Sequence, residues 1–281
     1  MNVQLSLAGV EAKVREALAE DAVDRDVTTA AVVPPGLQAS AHLIARSAGV
    51  VAGLPVAEEA FRQVDSSVRF EPVVGDGDRI SADQVLARLH GPLVSLLRAE
   101  RTALNFLQQL SGVATLTRRF VDAAGPKAAV LDTRKTVPGL RALQRYAVRM
   151  GGGVNHRFDL ASAALVKDNH VAAAGGIREA IRRARPSGLQ VEVEVESLAD
   201  LEAALAEGAD LILLDNMGVH MVAEAIRVNA GRAVLEVSGG VSLDTIGAYA
   251  GTGVQRISVG ALTHSAPALD ISMEVVRSWH Q

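Results

Sequence analysis

After Gly125 the chain alternates, with little interruption, between short apolar runs and amphipathic stretches. The runs are AAVLD, AALVK, LQVEVEVE, LILLD, AVLEVSG and QRISVGA, and helical patterns lie between them at about 139–150, 175–185, 197–207, 219–230 and 242–251. A single short apolar run fits a strand or a helix. A series of them separated by helix-length segments constrains topology, because each strand–helix–strand step crosses over in the right-handed sense and builds a parallel sheet. No GxGxxG follows the first run, which disfavours a dinucleotide-binding Rossmann domain. Asp132–Arg134–Lys135, Lys167, Glu194, Asp215, Ser238–Gly239–Gly240 and Gly260 all stand at the C-terminal end of a strand run. That is the face on which parallel α/β barrels carry their sites.

The first part of the chain reads differently. Residues 8–20 have helical apolar spacing, ASAHLIARSAGVVAG reads as a strand ending at Gly49 or Gly53, and PVAEEAFRQVD reads as a helix with proline in its first turn. SVRFEPVVGDGDRI and QVLARLHG read as strands joined by a Gly/Asp turn. From Pro92 to about Ala124 runs the longest helical pattern, with Leu93, Leu96, Leu97, Leu104, Leu107 and Leu110 on one face. Ser111–Gly112 is predicted to break or kink it at the hand-over to a second domain. The acidic residues of EDAVDRDVTT and Asp76–Gly77–Asp78 fit capped turns better than metal ligands. Arg98 and Arg101, near Glu100, fit a solvated helix face.

Composition removes several function classes. The net charge of -4 argues against general nucleic-acid binding, and it makes the cations between Leu131 and His170 stand out. Cysteine is absent, so thiolate chemistry, disulfides and Cys-ligated metals are excluded. With 49% apolar but only 3% aromatic residues, the core must be built from Ala, Val and Leu. There is no basic n-region followed by an apolar run, and no run approaches the roughly 20 residues that span a bilayer. A soluble, cytoplasmic protein with no membrane or nucleic-acid partner is expected.

The cations gather as Arg134 and Lys135, His156 and Arg157, and Lys167. Arginine offers a planar fork for carboxylate or phosphate. Glu194 and Asp215, on neighbouring strands, suit a divalent metal or sugar hydroxyls. Glu194 in VEVEVE also fits a glutamate facing water on an edge strand, and Asp215 also fits an N-cap of the following helix. The glycine-rich ends of the last two strands match a phosphate cradle. Together these features predict a phosphosugar ligand with further anionic groups.

TRKT, GGGxNHR, the KDNH strand end, EVEVE, LLDN, SGG and VGALTHS, with RTALNFLQQLSGVAT in the long helix, occur in order along essentially the whole chain. In this the chain resembles the quinolinate phosphoribosyltransferases (nicotinate-nucleotide pyrophosphorylases, carboxylating). The resemblance implies an N-terminal α/β sandwich over residues 1–110, joined by the tail 267–281, and a C-terminal open, seven-stranded parallel α/β barrel over 111–266. It implies reaction of quinolinate with phosphoribosyl pyrophosphate and Mg2+, giving nicotinate mononucleotide, pyrophosphate and CO2. It also implies a homodimer with shared active sites, and allows a hexamer. By the same resemblance Arg134, His156 and Arg157 would bind the quinolinate carboxylates, and Arg101 would reach in from the other subunit. Lys135 and Lys167 would meet the phosphosugar and its departing pyrophosphate, and Thr133 would also bind substrate. Glu194 and Asp215 would hold ribose hydroxyls or Mg2+; with Lys135 and Lys167 they form the implied catalytic set. Ser238, Gly239, Gly240, Val259, Gly260 and Ala261 would frame the 5′-phosphate, largely through backbone amides. Asp159 stands where the family usually has glycine and Ser162 where it usually has aspartate, which bears on the loop between them.

Three other readings compete. A paralogous phosphoribosyltransferase would take another base. An aldolase-type barrel would use Lys167 as a Schiff-base amine. A non-catalytic sensor would bind a phosphorylated ligand without turnover. His156, His170, His220 and His264 lack zinc-ligand spacing and read as hydrogen-bonded or core histidines outside the family context.

Overall fold

The structure is a computed structural model that describes residues 7–276. In chain order the elements begin with helices α1 (Leu7–Glu20) and α2 (Val27–Val32), strands β1 (Gln38–Ala45) and β2 (Gly49–Val50), and helix α3 (Leu54–Val64). Strands β3 (Arg69–Pro72), β4 (Arg79–Ile80) and β5 (Val85–Pro92) lead into the long helix α4 (Leu93–Ala124). Then come β6 (Ala129–Leu131), α5 (Arg141–Met150), β7 (Ala164–Val166), α6 (Asp168–Ala174), α7 (Ile177–Ala184), β8 (Val191–Val195) and α8 (Leu198–Ala206). Strand β9 (Leu211–Asp215), α9 (Val219–Asn229), β10 (Val234–Ser238), α10 (Leu243–Gly251), β11 (Arg256–Ser258), α11 (Ala261–His264) and β12 (Ile271–Val276) complete the series. The chain divides into two compact units. One runs to Leu116 and adds Pro138–Gly152 and the stretch from Ala266 onward; the other is Thr117–Val137 with Gly153–Ser265.

The first unit is built on an antiparallel sheet in the order β12-β1-β5-β3. Along β1, Ala39, Ala41 and Leu43 are buried, the period-2 signature of a strand with one covered face. The tail strand β12 pairs along β1 from Ser40↔Val276 to Ala45↔Ile271. Helix α4 does not break at Ser111–Gly112; it is continuous from Leu93 to Ala124. Those small residues serve packing instead. Ser111 Oγ accepts the Ala52 amide at 3.0 Å, and a Cβ on Gly112 would lie 2.1 Å from the Pro267 carbonyl oxygen. Both acidic clusters are capped turns, as predicted: Asp26 accepts the Thr28 and Thr29 amides at the start of α2, and Asp76 accepts the Gly53 and Leu54 amides at the start of α3.

The second unit is a parallel sheet in the order β6-β11-β10-β9-β8-β7, flanked by the helices of its crossovers. All six apolar runs are its strands. A seventh position is reduced to one parallel bridge, Val154 beside Leu131, and the barrel stays open. Its strands carry the core, including Val130, Leu131, Ile212, Leu214, Leu235 and Val237. Strand β8 is flanked by β9 and β7, so it is not an edge; Glu192 on it is buried, and only 8% of the Glu194 side chain is exposed. The water-facing reading of these glutamates is therefore set aside. Asp215 does not cap α9 either, since Gly218 occupies that N-cap.

Candidate active site

The strand ends of the second unit converge on a cavity of about 420 Å³. Thr133, Arg134 and Lys135 enter it from the loop after β6, His156 and Arg157 from the segment after Val154, and Lys167 from the end of β7. Glu194 comes from β8, Asp215 from β9, and Ser238 and Gly239 from the end of β10. The volume lies within the range of small-molecule sites. Its lining is cationic after β6 and at the end of β7, and β8 and β9 add one carboxylate each. Gly240, Val259, Gly260 and Ala261 follow the same strand ends without lining the cavity itself. Arg101 belongs to the other unit, on an exposed position of α4.

Local structure explains these placements. Gly239 has φ +95 and Gly240 φ +62. A Cβ on Gly239 would fall 2.2 Å from Asn216 Oδ1, so no side chain fits there. Successive left-handed glycines expose backbone N–H groups of the kind that cradle a phosphate. Val259 differs from its expected role: its amide donates to the Leu131 carbonyl at 2.9 Å, which leaves it part of the frame and not an amide donor to a ligand. Lys135 is tied down by the Thr263 hydroxyl, which donates to its carbonyl at 2.6 Å, and its Cδ lies 3.1 Å from where a Gly260 Cβ would be. The Lys167 ammonium donates to Glu194, an ion pair rather than a free amine. The Asn216 side-chain amide donates to Asp215 Oδ2 at 2.7 Å and orients that carboxylate.

The cationic wall rests on buried acids. Asp132, fully buried at the end of β6, accepts the Asn155 side-chain amide and, at 2.8 Å, the His156 backbone N–H. His156 Nε2 lies 3.0 Å from Glu192 and 3.2 Å from Glu236. Burial alone would lower the pKa of this ring; the bonds and charges of the two glutamates outweigh it and raise the pKa to about 9. The other ring nitrogen, Nδ1, accepts the Arg157 amide at 2.7 Å. A ring protonated at Nδ1 cannot accept, so that contact belongs to the Nε2–H form, and the glutamates and the Arg157 amide pull the ring's protonation in opposite directions. Burial, then the nearby Arg134, push the Arg157 guanidinium below its usual value. The Arg157 guanidinium also donates to the Ala163 carbonyl at 3.2 Å, which holds it at the cavity.

His156, Glu192 and Glu236 have the donor types of a metal site. Yet Arg256 Nε stands 2.8 Å from Glu236 and the Ser258 hydroxyl donates to the same carboxylate, so the cluster is already held by ion pairs and hydrogen bonds. Arg256 and His156 together balance the two acids. The sequence reading missed Glu192, Glu236, Ser258 and Asn216. The available signals were the alternation in VEVEVE and VLEVS and the asparagine of LLDN. The Asp159 and Ser162 departures close on themselves: Asp159 Oδ1 accepts the Ser162 amide at 2.9 Å, and Ser162 Oγ accepts the Phe158 and Asp159 amides at 3.1 Å.

Residues 26–111 match the family model of the quinolinate phosphoribosyl transferase N-terminal domain, and residues 113–274 match that of the C-terminal domain. The chain is 47% identical over 273 residues to the nicotinate-nucleotide pyrophosphorylase [carboxylating] of Mycobacterium leprae (strain TN), covering 93% of this chain and 95% of that protein. It is 41% identical over 281 residues to a quinolinate phosphoribosyltransferase [decarboxylating] of Nicotiana tabacum, covering 92% and 80%. The crystal structure of NadC from Streptococcus pyogenes superposes with a TM-score of 0.94 at 43% identity, over 97% of this chain and 98% of that one.

Proposed function

The chain belongs to the quinolinate phosphoribosyltransferase family, and we infer that it transfers the phosphoribosyl group of phosphoribosyl pyrophosphate to quinolinate with loss of CO2, giving nicotinate mononucleotide and pyrophosphate in NAD biosynthesis. The observation that carries this reading is the cavity itself, lined by Arg134, Arg157 and two lysines together with Glu194, Asp215 and the left-handed Gly239 of the glycine turn.

Arg134 and Arg157 hold the dicarboxylate and aim its ring nitrogen at the anomeric carbon, a contribution made mainly as orientation. His156 lines the same cavity and joins them at the carboxylates. Lys135 and Lys167 take up negative charge on the departing pyrophosphate, and the Gly239–Gly240 amides hold the 5′-phosphate. As the bond to pyrophosphate breaks, positive charge develops on the ribose, and Glu194 and Asp215 stabilise it. The new C–N bond leaves the pyridine nitrogen positive. The adjacent carboxylate then departs as CO2, its bonding pair drawn toward that nitrogen, and a proton takes its place. No protein nucleophile is needed, and the ion pair of Lys167 with Glu194 suits this role better than a Schiff-base amine.

Glu194 and Asp215 end neighbouring strands, and among the described residues neither belongs to a cluster of three metal-type donors. That donor set fits Mg2+, which binds through one or two carboxylates and keeps water and substrate oxygens as its other ligands. When bound, the ion neutralises charge on the diphosphate. We place the enzyme in the cytoplasm, in keeping with its cysteine-free sequence; no described helix is long and apolar enough to cross a membrane.

Incubation with quinolinate, phosphoribosyl pyrophosphate and Mg2+ is expected to release CO2 and nicotinate mononucleotide in equal amounts, with nicotinate unable to replace quinolinate. Binding of phosphoribosyl pyrophosphate without either product would leave only the phosphosugar half of the reading and favour the paralogue or the sensor. The exposed Arg101 is assigned to the partner's site in a dimer. Mixing Arg101→Ala subunits with Lys167→Ala subunits should then restore about a quarter of wild-type activity, because half of a random mixture is heterodimer with one intact site each. No recovery in subunits shown to exchange would remove Arg101 from a shared site.

A further inference from the structure

The chemistry above leaves two buried carboxylates unused. Glu192 lies two residues before Glu194 on β8, and Glu236 two residues before Ser238 on β10. Residues two apart on a strand share a face, so each glutamate stands one step below a cavity residue. Glu236 is 0% exposed and Glu192 3%. Two carboxyl groups at such depth are costly, and an apolar residue of similar size would often serve stability as well or better. Their partners suggest why they are there. Glu236 is met by Arg256 and by the Ser258 hydroxyl, and both glutamates close on the same atom, His156 Nε2. The ring's far side receives the amide of Arg157, the guanidinium that faces the cavity. His156 thus links the barrel interior to the backbone of a substrate-facing arginine, with Asp132 holding the His156 amide from a third direction.

We propose that Glu192 and Glu236 are positioning residues for the quinolinate subsite: through His156 they fix the backbone from which Arg157 reaches the dicarboxylate. The proposal rests on the quinolinate reading of the cavity. A carboxylate on one imidazole nitrogen fixes ring plane and tautomer, and so decides what the other nitrogen offers, as it does for histidines that ligate metals. Here the nitrogen so controlled faces a peptide N–H of the arginine clamp. Among the described residues the hydrogen bonds and ion pairs of the two glutamates run to His156, Arg256 and Ser258 and not to Lys135 or Lys167, so the larger effect is expected on quinolinate.

The test is titration calorimetry of quinolinate, and separately of phosphoribosyl pyrophosphate, on the full-length enzyme. Glu192→Leu keeps the volume and removes the acceptor. It is expected to weaken quinolinate about 10- to 100-fold, the usual cost of losing an outer-layer partner, with phosphoribosyl pyrophosphate binding little changed. Glu192→Gln, an isostere whose Oε1 can still accept from Nε2–H, should lie between Leu and wild type, because a neutral acceptor is weaker than a charged one. Wild-type quinolinate affinity in Glu192→Gln, or in folded Glu192→Leu, overturns the proposal. So does an equal weakening of both ligands, which marks a merely structural role. The wild-type enzyme is titrated first: if it fails to bind quinolinate, the cavity reading falls and this proposal with it, whereas binding by wild type with no change in the variants sinks this proposal alone.

Discussion

Arg134→Ala is expected to lower kcat/KM for quinolinate by about 10²–10³-fold, as befits removal of one side of a desolvated charge pair worth roughly 2–5 kcal/mol. Arg134 and Arg157 are close enough that the first depresses the pKa of the second, on top of the effect of burial. An enzyme that keeps two like charges together stores a preference for a ligand carrying two negative groups. Quinolinate supplies both, and its carboxylates are adjacent on a rigid ring. With Arg134 gone, one carboxylate loses its bidentate partner, KM rises, and the ring nitrogen loses its aim, so kcat falls too. Arg134→Lys keeps the charge but not the fork, and should recover only part of the loss. Affinity for phosphoribosyl pyrophosphate is the internal control, since the binders proposed for it are the lysines, the carboxylates and the glycine turn. Near-normal quinolinate affinity in Arg134→Ala would falsify the assignment of Arg134 to the dicarboxylate.

The sequence was most legible where one physical constraint acted at a time. Runs such as LILLD are apolar throughout because parallel strands are covered on both faces, and all six became strands of one sheet. Polar residues at strand ends marked the cavity for the same reason, since a side chain there must either meet a ligand or face water. Legibility failed where two constraints shared a residue. Alternating glutamates in VEVEVE look like an edge strand facing water, but β8 is interior and its glutamates point to a polar interior layer. Glu192 and Glu236 make sense only once His156 is known to stand between them, and the segments carrying the three are far apart in sequence. Asp132 was visible as a residue of the motif, but its bonds to Asn155 and His156 depend on the chain returning at Val154. That return is too rich in glycine to announce a strand, and the seventh strand amounts to a single bridge. The expected helix at 175–185 begins at Ile177, and Gly175 and Gly176, both left-handed, separate it from α6.

Gly112→Ala should destabilise the unit that contains β1 and β12, although the same change in the middle of an unhindered helix stabilises by about 1 kcal/mol. Local propensity and packing oppose each other at this position, and magnitudes decide. Residue 112 lies well inside α4, where Ser–Gly reads as a weak point. The structure gives another reason for the glycine: an added Cβ would sit 2.1 Å from the Pro267 carbonyl oxygen and 3.0 Å from its carbonyl carbon. Those are backbone atoms of the segment leading into β12, which is anchored to α4 by the Leu269 amide on the Gln108 carbonyl and by the Gln108 side-chain amide on the Ile271 carbonyl. Neither chain can yield without moving the other. Overpacking of this kind costs about 1–3 kcal/mol and sometimes more, and backbone contact at 2.1 Å belongs at the upper end. The net expectation is a loss of about 2 kcal/mol, or roughly 3–4 °C in Tm for a chain of this size. Gly251→Ala is the matched control. That glycine ends α10, its Cβ would meet nothing within 4 Å, and its φ is not left-handed, so Tm should hold or rise. Should Gly112→Ala prove as stable as Gly251→Ala, the crossing of the tail over α4 is looser than the structure has it, and the glycine answers to helix bending after all.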